Sequence, residues 1–86
     1  MAGKIRGKKV VGKTIVSEEK GKKFGNIADL SFISKTGELM NLLLTDTTEH
    51  IKEVNPEKDS KGRFMIPFSA VKSVGDFVIV SEYDIV

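Results

Sequence analysis

Apolar and polar positions alternate in short runs along this chain, and Gly, Pro, Asn, Asp and Ser punctuate the runs, a pattern of strands and tight turns. Val10 to Val16 is rich in β-branched residues and predicts a first strand, closed by the polar loop Ser17-Glu-Glu-Lys-Gly-Lys-Lys23. Phe24 to Ile33 predicts a second. Within it Ala28, Leu30 and Phe32 share one face while Asp29 and Ser31 share the other, the period of two of a half-buried strand. Ile27 has the wrong parity, which requires a bulge near Gly25 and Asn26. Ser34-Lys-Thr-Gly37 reads as a turn with Gly37 free to take positive φ, so Leu39 to Thr45 returns as an antiparallel third strand.

Residues 46 to 62 are too polar and too long for a tight turn. Asp46 followed three residues later by Glu49 fits a capping box, and Ile51 and Val54 lie three apart on one helical face, so a short helix is expected before Asn55-Pro56 ends it. His50 is then expected to face solvent, and Lys58-Asp-Ser-Lys-Gly62 has the composition of a mobile turn. Phe64 and Ile66 alternate with Met65 in a fourth strand, which Pro67 stops because it lacks a backbone N–H. Phe68 to Ala70 fits a single helical turn. Gly75-Asp76 is a two-residue hairpin signal that should pair Val71 to Val74 with Phe77 to Val80. The expected fold is all-β, with six short strands, one short helical turn, and Phe64, Ile66, Phe77 and Ile79 among the core.

Size and charge limit what such a fold does. At 86 residues the chain is expected to form one domain with one modest core, and 40% hydrophobic with 30% charged residues suits a globular protein. The chain has no cysteine, which excludes disulfides, thiolate metal sites and a cysteine nucleophile, and makes a reducing cytoplasm the simplest location. Met1 to Arg6 lacks the apolar stretch of a secretion signal, and the longest apolar runs are far too short to span a membrane, so no membrane insertion is expected. Net charge is +2, but residues 1–23 carry eight Lys or Arg against Glu18 and Glu19, a local +6, while residues 24–86 carry a local −4. The positive potential belongs to the N-terminal quarter, where residues 1–9 read as a basic arm.

Several motifs resemble chemistry without its context. Gly7-Lys-Lys-Val-Val-Gly-Lys-Thr14 satisfies a P-loop pattern, and Leu42-Leu-Leu-Thr-Asp46 looks like the metal-binding strand end of a nucleotide hydrolase. Phosphate cradling needs a buried strand before the glycines and a helix after them, and the flanks here have neither signature. His50 has no second metal-type ligand at a spacing that would pair with it. Glu18 and Glu19 are adjacent, so on an extended chain they point apart and read as a solvated loop. Asp29 reads as a structural carboxylate that points outward or accepts backbone donors. No nucleophile, base and orienting group can be assembled, so a non-enzyme without catalytic residues, metal or cofactor is expected.

Phe24-Gly-Asn-Ile-Ala-Asp-Leu-Ser-Phe-Ile33, Thr36-Gly37-Glu38, Leu42-Leu-Leu44 and Ile66-Pro-Phe-Ser-Ala-Val71, ending in Val74-Gly-Asp-Phe-Val-Ile-Val80, together resemble the PRC-barrel family over about residues 10–80. The signature positions are Gly25, Ile27 to Asp29, Thr36-Gly37, Ile66-Pro67 and Gly75-Asp76. The resemblance implies a small, six-stranded, partly open SH3-like β-barrel spanning residues 10–80, followed by a tail, residues 81–86, whose Tyr83-Asp-Ile-Val86 packs against a neighbour or closes the barrel. It also implies likeness to the short stand-alone archaeal members, and hence a protein-interaction adaptor that contacts the membrane anchor of the tubulin-like division ring, with a homodimer as one assembly. The ribosome-maturation relatives imply the competing reading, binding of RNA or a ribosomal particle. Lys8, Lys9, Lys22 and Lys23 are the candidate partner-binding residues for it. The shortage of aromatic side chains weakens that alternative, since nucleic-acid readers stack bases on them.

Overall fold

A computed structural model describes residues 10–85. Its strands are β1 (Thr14–Ser17), β2 (Lys23–Phe32), β3 (Leu39–Thr45), β4 (Met65–Pro67), β5 (Val71–Val74) and β6 (Phe77–Val80), with the helix α1 (Glu49–Val54) between β3 and β4. Short 3-10 turns follow β4 at Phe68–Ala70 and β6 at Glu82–Asp84. The six strands form one sheet in the order β4-β3-β2-β1-β6-β5. Only the β1–β6 pair is parallel, and the other pairings are antiparallel. The two edge strands, β4 and β5, are consecutive in the chain and joined by the first 3-10 turn but not paired to each other. The result is a partly open barrel, as the family resemblance implies.

One face of the sheet supplies the core: Ile15, Phe24, Ile27, Leu42, Leu44, Ile66, Val78 and Val80 are buried together with Val10, Ile51, Ala70 and Ile85. The strand pattern departs from the sequence expectation at four places, each with a local cause. The first strand starts at Thr14 rather than Val10, because Gly12 takes φ 92° and turns the chain, with Lys13 N–H donating to the Val10 carbonyl at 3.0 Å. In β2 the irregularities flank Asn26 instead of centring on it. Phe24 is skipped between the Ile15–Gly25 and Val16–Lys23 pairs, and Ala28 between the Ile27–Leu44 and Asp29–Leu43 pairs. These two extra residues let Phe24, Ile27 and Leu30 turn toward the core although their parity differs, while Phe32, at the end of the strand, is exposed.

In β6 the inward residues are Val78 and Val80, while Phe77 is 50% exposed and Ile79 half-buried. The parallel register with β1 decides this: Ile15 lies beside Val78, and side-by-side residues of a parallel pair share a face. Phe77 and Ile79 are therefore not the inward pair. The fourth strand is shifted by one residue, Met65–Pro67 in place of Phe64–Ile66; Ile66 is buried, Phe64 is half-buried, and Pro67 sits opposite Asn41 as the last paired residue.

The 46–62 connection folds into two pieces. Asp46 does not cap the helix, since it takes φ 51°; Thr48 is the N-cap residue, and its hydroxyl donates across to the Lys23 carbonyl. Asn55, in the left-handed conformation, ends the helix, with its N–H on the Ile51 carbonyl at 2.9 Å. Beyond Pro56 the chain makes a hydrogen-bonded turn around Asp59, whose carboxylate accepts from Lys61 N, Arg63 N and Arg63 Nε at 3.0, 2.8 and 2.9 Å. That turn covers the outer edge of β4, because Met65 N–H donates to the Glu57 carbonyl at 2.8 Å. Among the described residues no helix is long and apolar enough to cross a membrane.

Candidate functional site

His50 is the residue whose surroundings differ most from the sequence expectation. It is 7% exposed instead of facing solvent. The short helix carries Ile51 into the core, and its neighbour His50 comes to lie on the Phe24 ring, nearly parallel to it at 5° with centroids 5.1 Å apart. Nδ1 meets Glu53 Oε2 at 2.7 Å, one helical turn on, and Nε2 meets Glu82 Oε2 at 2.9 Å. Glu82 opens the second 3-10 turn, and its carboxylate also accepts the hydroxyl of Ser17 from β1. The Ser17 oxygen in turn accepts Lys20 N–H at 3.1 Å. Glu19 completes the network, accepting from Ser81 Oγ and from Glu82 N–H, each at 2.8 Å. Glu19, exposed on the β1–β2 turn, thus also ties that turn to the C-terminal turn.

This network joins four parts of the chain, but its order is not that of a nucleophilic triad. A serine nucleophile needs its hydroxyl on an imidazole that a carboxylate orients. Here the carboxylate stands between hydroxyl and imidazole, and Ser17 is 1% exposed. Nor does it gather a metal: both imidazole nitrogens are engaged by carboxylates, and no group of three metal-type side chains converges among the described residues. A cleft of about 180 Å³, lined by Asn41, Glu57, Met65, Pro67 and Ile85, lies elsewhere and is below the size of usual ligand pockets.

The network is electrostatically consistent with folding near neutral pH. Burial pushes the Glu82 carboxyl up, but the Ser17 and His50 hydrogen bonds, with the positive potential of His50 and Lys20, outweigh it and hold Glu82 below the usual carboxylate range. The Glu82 backbone N–H, aided by Ser81, holds Glu19 low as well. A carboxylate with a depressed folded pKa adds stability that is present above its unfolded pKa and lost as pH falls through the folded one. Glu82→Gln should therefore flatten the acid side of the stability profile, followed as denaturant midpoint against pH. A profile identical to wild type would show that Glu82 carries none of the acid sensitivity.

The signature residues serve structure. Gly25 lies under the Thr45–Thr47 backbone, and Gly37 takes φ 73° in the β2–β3 turn. Asp29 is exposed, accepting Leu30 N–H at 2.8 Å, with Arg63 Nη1 4.0 Å away. Pro67 ends β4, and Gly75 with Asp76 turns β5 into β6, where the Gly75 carbonyl accepts the Lys13 ammonium. Of the basic candidates, Lys22 and Lys23 are exposed at the β1–β2 turn, while Lys8 and Lys9, with the rest of the basic arm and the first part of the P-loop-like stretch, lie outside the described residues. The described end of that stretch, Thr14, begins a strand where a P-loop needs a helix.

Sequence reasoning did not single out a third feature, the far end of the β2–β3 hairpin. Phe32, Ile33 and Met40 are 49%, 40% and 46% exposed there, around the Phe32–Leu39 pair. The only signal in the sequence was the apolar content of a strand that runs past the core.

The family model described as PRC-barrel domain matches residues 2–84. No curated protein matches the chain.

Proposed function

The chain belongs to the PRC-barrel domain family, and from that premise we propose that it is a non-catalytic module that binds a protein partner through the far end of the β2–β3 hairpin. The observation that carries this reading is the exposure of Phe32, Ile33 and Met40 at that end, flanked by Lys35 and Glu38. Apolar side chains inside a polar rim of balanced charge are the make-up of a protein interface. Strand addition is the weaker option. The β4 edge is covered by the chain's own residues near Glu57, and the β5 edge presents Lys72, engaged by Asp84 at 2.7 Å, the kind of charge that discourages pairing.

The finer reading, an archaeal cell-division adaptor that contacts the membrane anchor of the tubulin-like ring, rests on the likeness of the signature residues to the short stand-alone members. Affinity capture from the native cell, scored for division against ribosomal proteins, tests it. Phe32→Glu combined with Met40→Glu should weaken capture of division components by at least about tenfold, the effect of losing interface anchors, with the thermal midpoint kept. Undiminished capture by this double variant removes the hairpin from the reading. Recovery of ribosomal particles, lost in high salt and on neutralising Lys8, Lys9, Lys22 and Lys23, would replace it with the RNA-binding alternative.

A further inference from the structure

The exposed apolar end of the β2–β3 hairpin adjoins the cleft at β4. Asn41, which lines that cleft of about 180 Å³ with Glu57, Met65, Pro67 and Ile85, pairs with Ser31 on one side and with Pro67 on the other. Residues opposite each other in an antiparallel pair share a face, so Ser31, Asn41 and Pro67 form one row across three strands. Alternation along β2 puts Ile33 on the face of Ser31, two residues or roughly 7 Å farther on. Met40, 46% exposed, directly precedes Asn41 and is skipped between the Ser31–Asn41 and Phe32–Leu39 pairs. Apolar end and cleft are continuous.

The polar groups of the cleft await a donor. Glu57 is exposed, and its carboxylate has no ion pair among the described residues. The acids on either side are matched: Asp59 holds Arg63 at 2.9 Å and Asp84 holds Lys72 at 2.7 Å, while the Lys58 ammonium lies over the Phe64 ring. At the β4 edge Met65 N–H is given to the Glu57 carbonyl, the Met65 carbonyl faces the same side, and Pro67 has no N–H. Across from Asn41, the Ser31 hydroxyl is buried without a hydrogen-bond partner.

A carboxylate, an amide oxygen and a backbone carbonyl beside the apolar walls of Met65, Pro67 and Ile85 suit a guanidinium, which is planar, weakly hydrated, and has five donors and no acceptor. An Asn41 amide that gives its oxygen to such a guest keeps its NH2 for the Ser31 hydroxyl. The volume fits one side chain and is below that of a usual ligand pocket. Resting on the hairpin reading for where the partner lies, we propose that the cleft is a subsite for one arginine of that partner. An extended segment laid along the row sets an apolar residue on Ile33 and Met40. Two positions away it places the arginine stem on Met65 and Pro67 and the guanidinium on Glu57 and Asn41.

The probe is the blocked peptide acetyl-Leu-Ser-Arg-Ser-Leu-amide, titrated into the full chain and followed by NMR at the Asn41 side-chain amide and the Met40 methyl. In the control, citrulline, a neutral group of the same shape, replaces the arginine. The arginine peptide should shift both signals and bind at least about threefold more tightly than the control, the scale of an exposed charge pair with forked geometry. Glu57→Gln should abolish that preference and keep the thermal midpoint, because the Glu57 backbone, not its side chain, holds Met65. Equal binding of the two peptides with Met40 still shifted would overturn the subsite and leave the hairpin reading standing. An arginine-dependent shift at Asn41 with a silent Met40 methyl would uphold the subsite and count against the hairpin reading instead. An Asn41 signal that moves on Arg6→Gln before any peptide is added would give the cleft to the chain's own basic arm and overturn the proposal as well. The wild-type titrations decide it even if Glu57→Gln fails to fold.

Discussion

Phe24→Ala should remove about 3–5 kcal/mol of folding stability, a large part of what a domain of this length holds. Phe24 is fully buried and is the residue skipped in the register between β1 and β2, so its ring enters the core where strict alternation from Ile27 would turn it away. That ring is the contact between the sheet and α1: it stacks on His50, and the Phe24 carbonyl accepts Thr48 N–H at 2.9 Å just before the helix. Truncation leaves a cavity between the two layers and unseats the imidazole that holds Glu82. The thermal midpoint should fall by at least about 12 °C, given the enthalpy of a chain of this size. Phe24→Leu, which keeps most of the volume, should cost about 1–1.5 kcal/mol. Phe77 supplies the control, since it is 50% exposed and its truncation should cost under about 1 kcal/mol. Equal losses at the two phenylalanines in a denaturant titration would mean that Phe24 is not the wedge between sheet and helix.

That contrast also shows where the sequence was informative. Turns with a residue-specific cause were legible: Gly37 with positive φ, Asn55 ending the helix, Pro67 ending β4, and the Gly75-Asp76 hairpin. Their chemistry is local, so the chain carries the whole signal. Facing was not legible wherever a partner strand decides it. Nothing within Phe77 to Val80 tells which of its alternating residues point inward; Ile15, sixty-odd positions earlier, sets that through the parallel register. Bulges at Phe24 and Ala28 shift the alternation in the same non-local way.

The site divides along the same line. The His50–Glu53 contact has a readable spacing of three on a helix, but Glu82 reaches the other ring nitrogen from the far end of the chain. A solitary histidine on a six-residue helix reads as a surface residue until the fold brings Phe24 beneath it and Glu82 beside it. The segment beyond β6 likewise read as a tail with two options, and the structure gives its Ile85 a place in the core while Tyr83 stays 82% exposed.

Gly25→Ala should destabilise the fold by about 2–3 kcal/mol, the cost of forcing extra atoms into a packed site. A Cβ at this position would lie 2.9 Å from the Thr45 carbonyl oxygen and 3.1 Å from Thr47 Cα, both backbone atoms of the chain leaving β3. They cannot swing aside as a side chain tip would. That crossing is fixed just before Gly25, by Thr48 N–H on the Phe24 carbonyl and by the Thr48 hydroxyl on the Lys23 carbonyl. Relief therefore requires moving the approach to α1, and with it His50 and its hold on Glu82. The backbone at Gly25, φ 158°, is itself a conformation that L side chains rarely adopt, so dihedral strain adds to the penalty of the approaching chain. Gly75→Ala supplies the comparison, because nothing lies within 4 Å of its Cβ position and its cost should stay within about 0.5 kcal/mol. If reversible unfolding gave the two alanine variants the same stability, close approach would not explain why a glycine stands before the bulk of β2. A larger loss at Gly25, accompanied by weakened protection at Thr48 and Ser81, would tie that signature residue to the seating of the helix and, through His50, to the C-terminal turn.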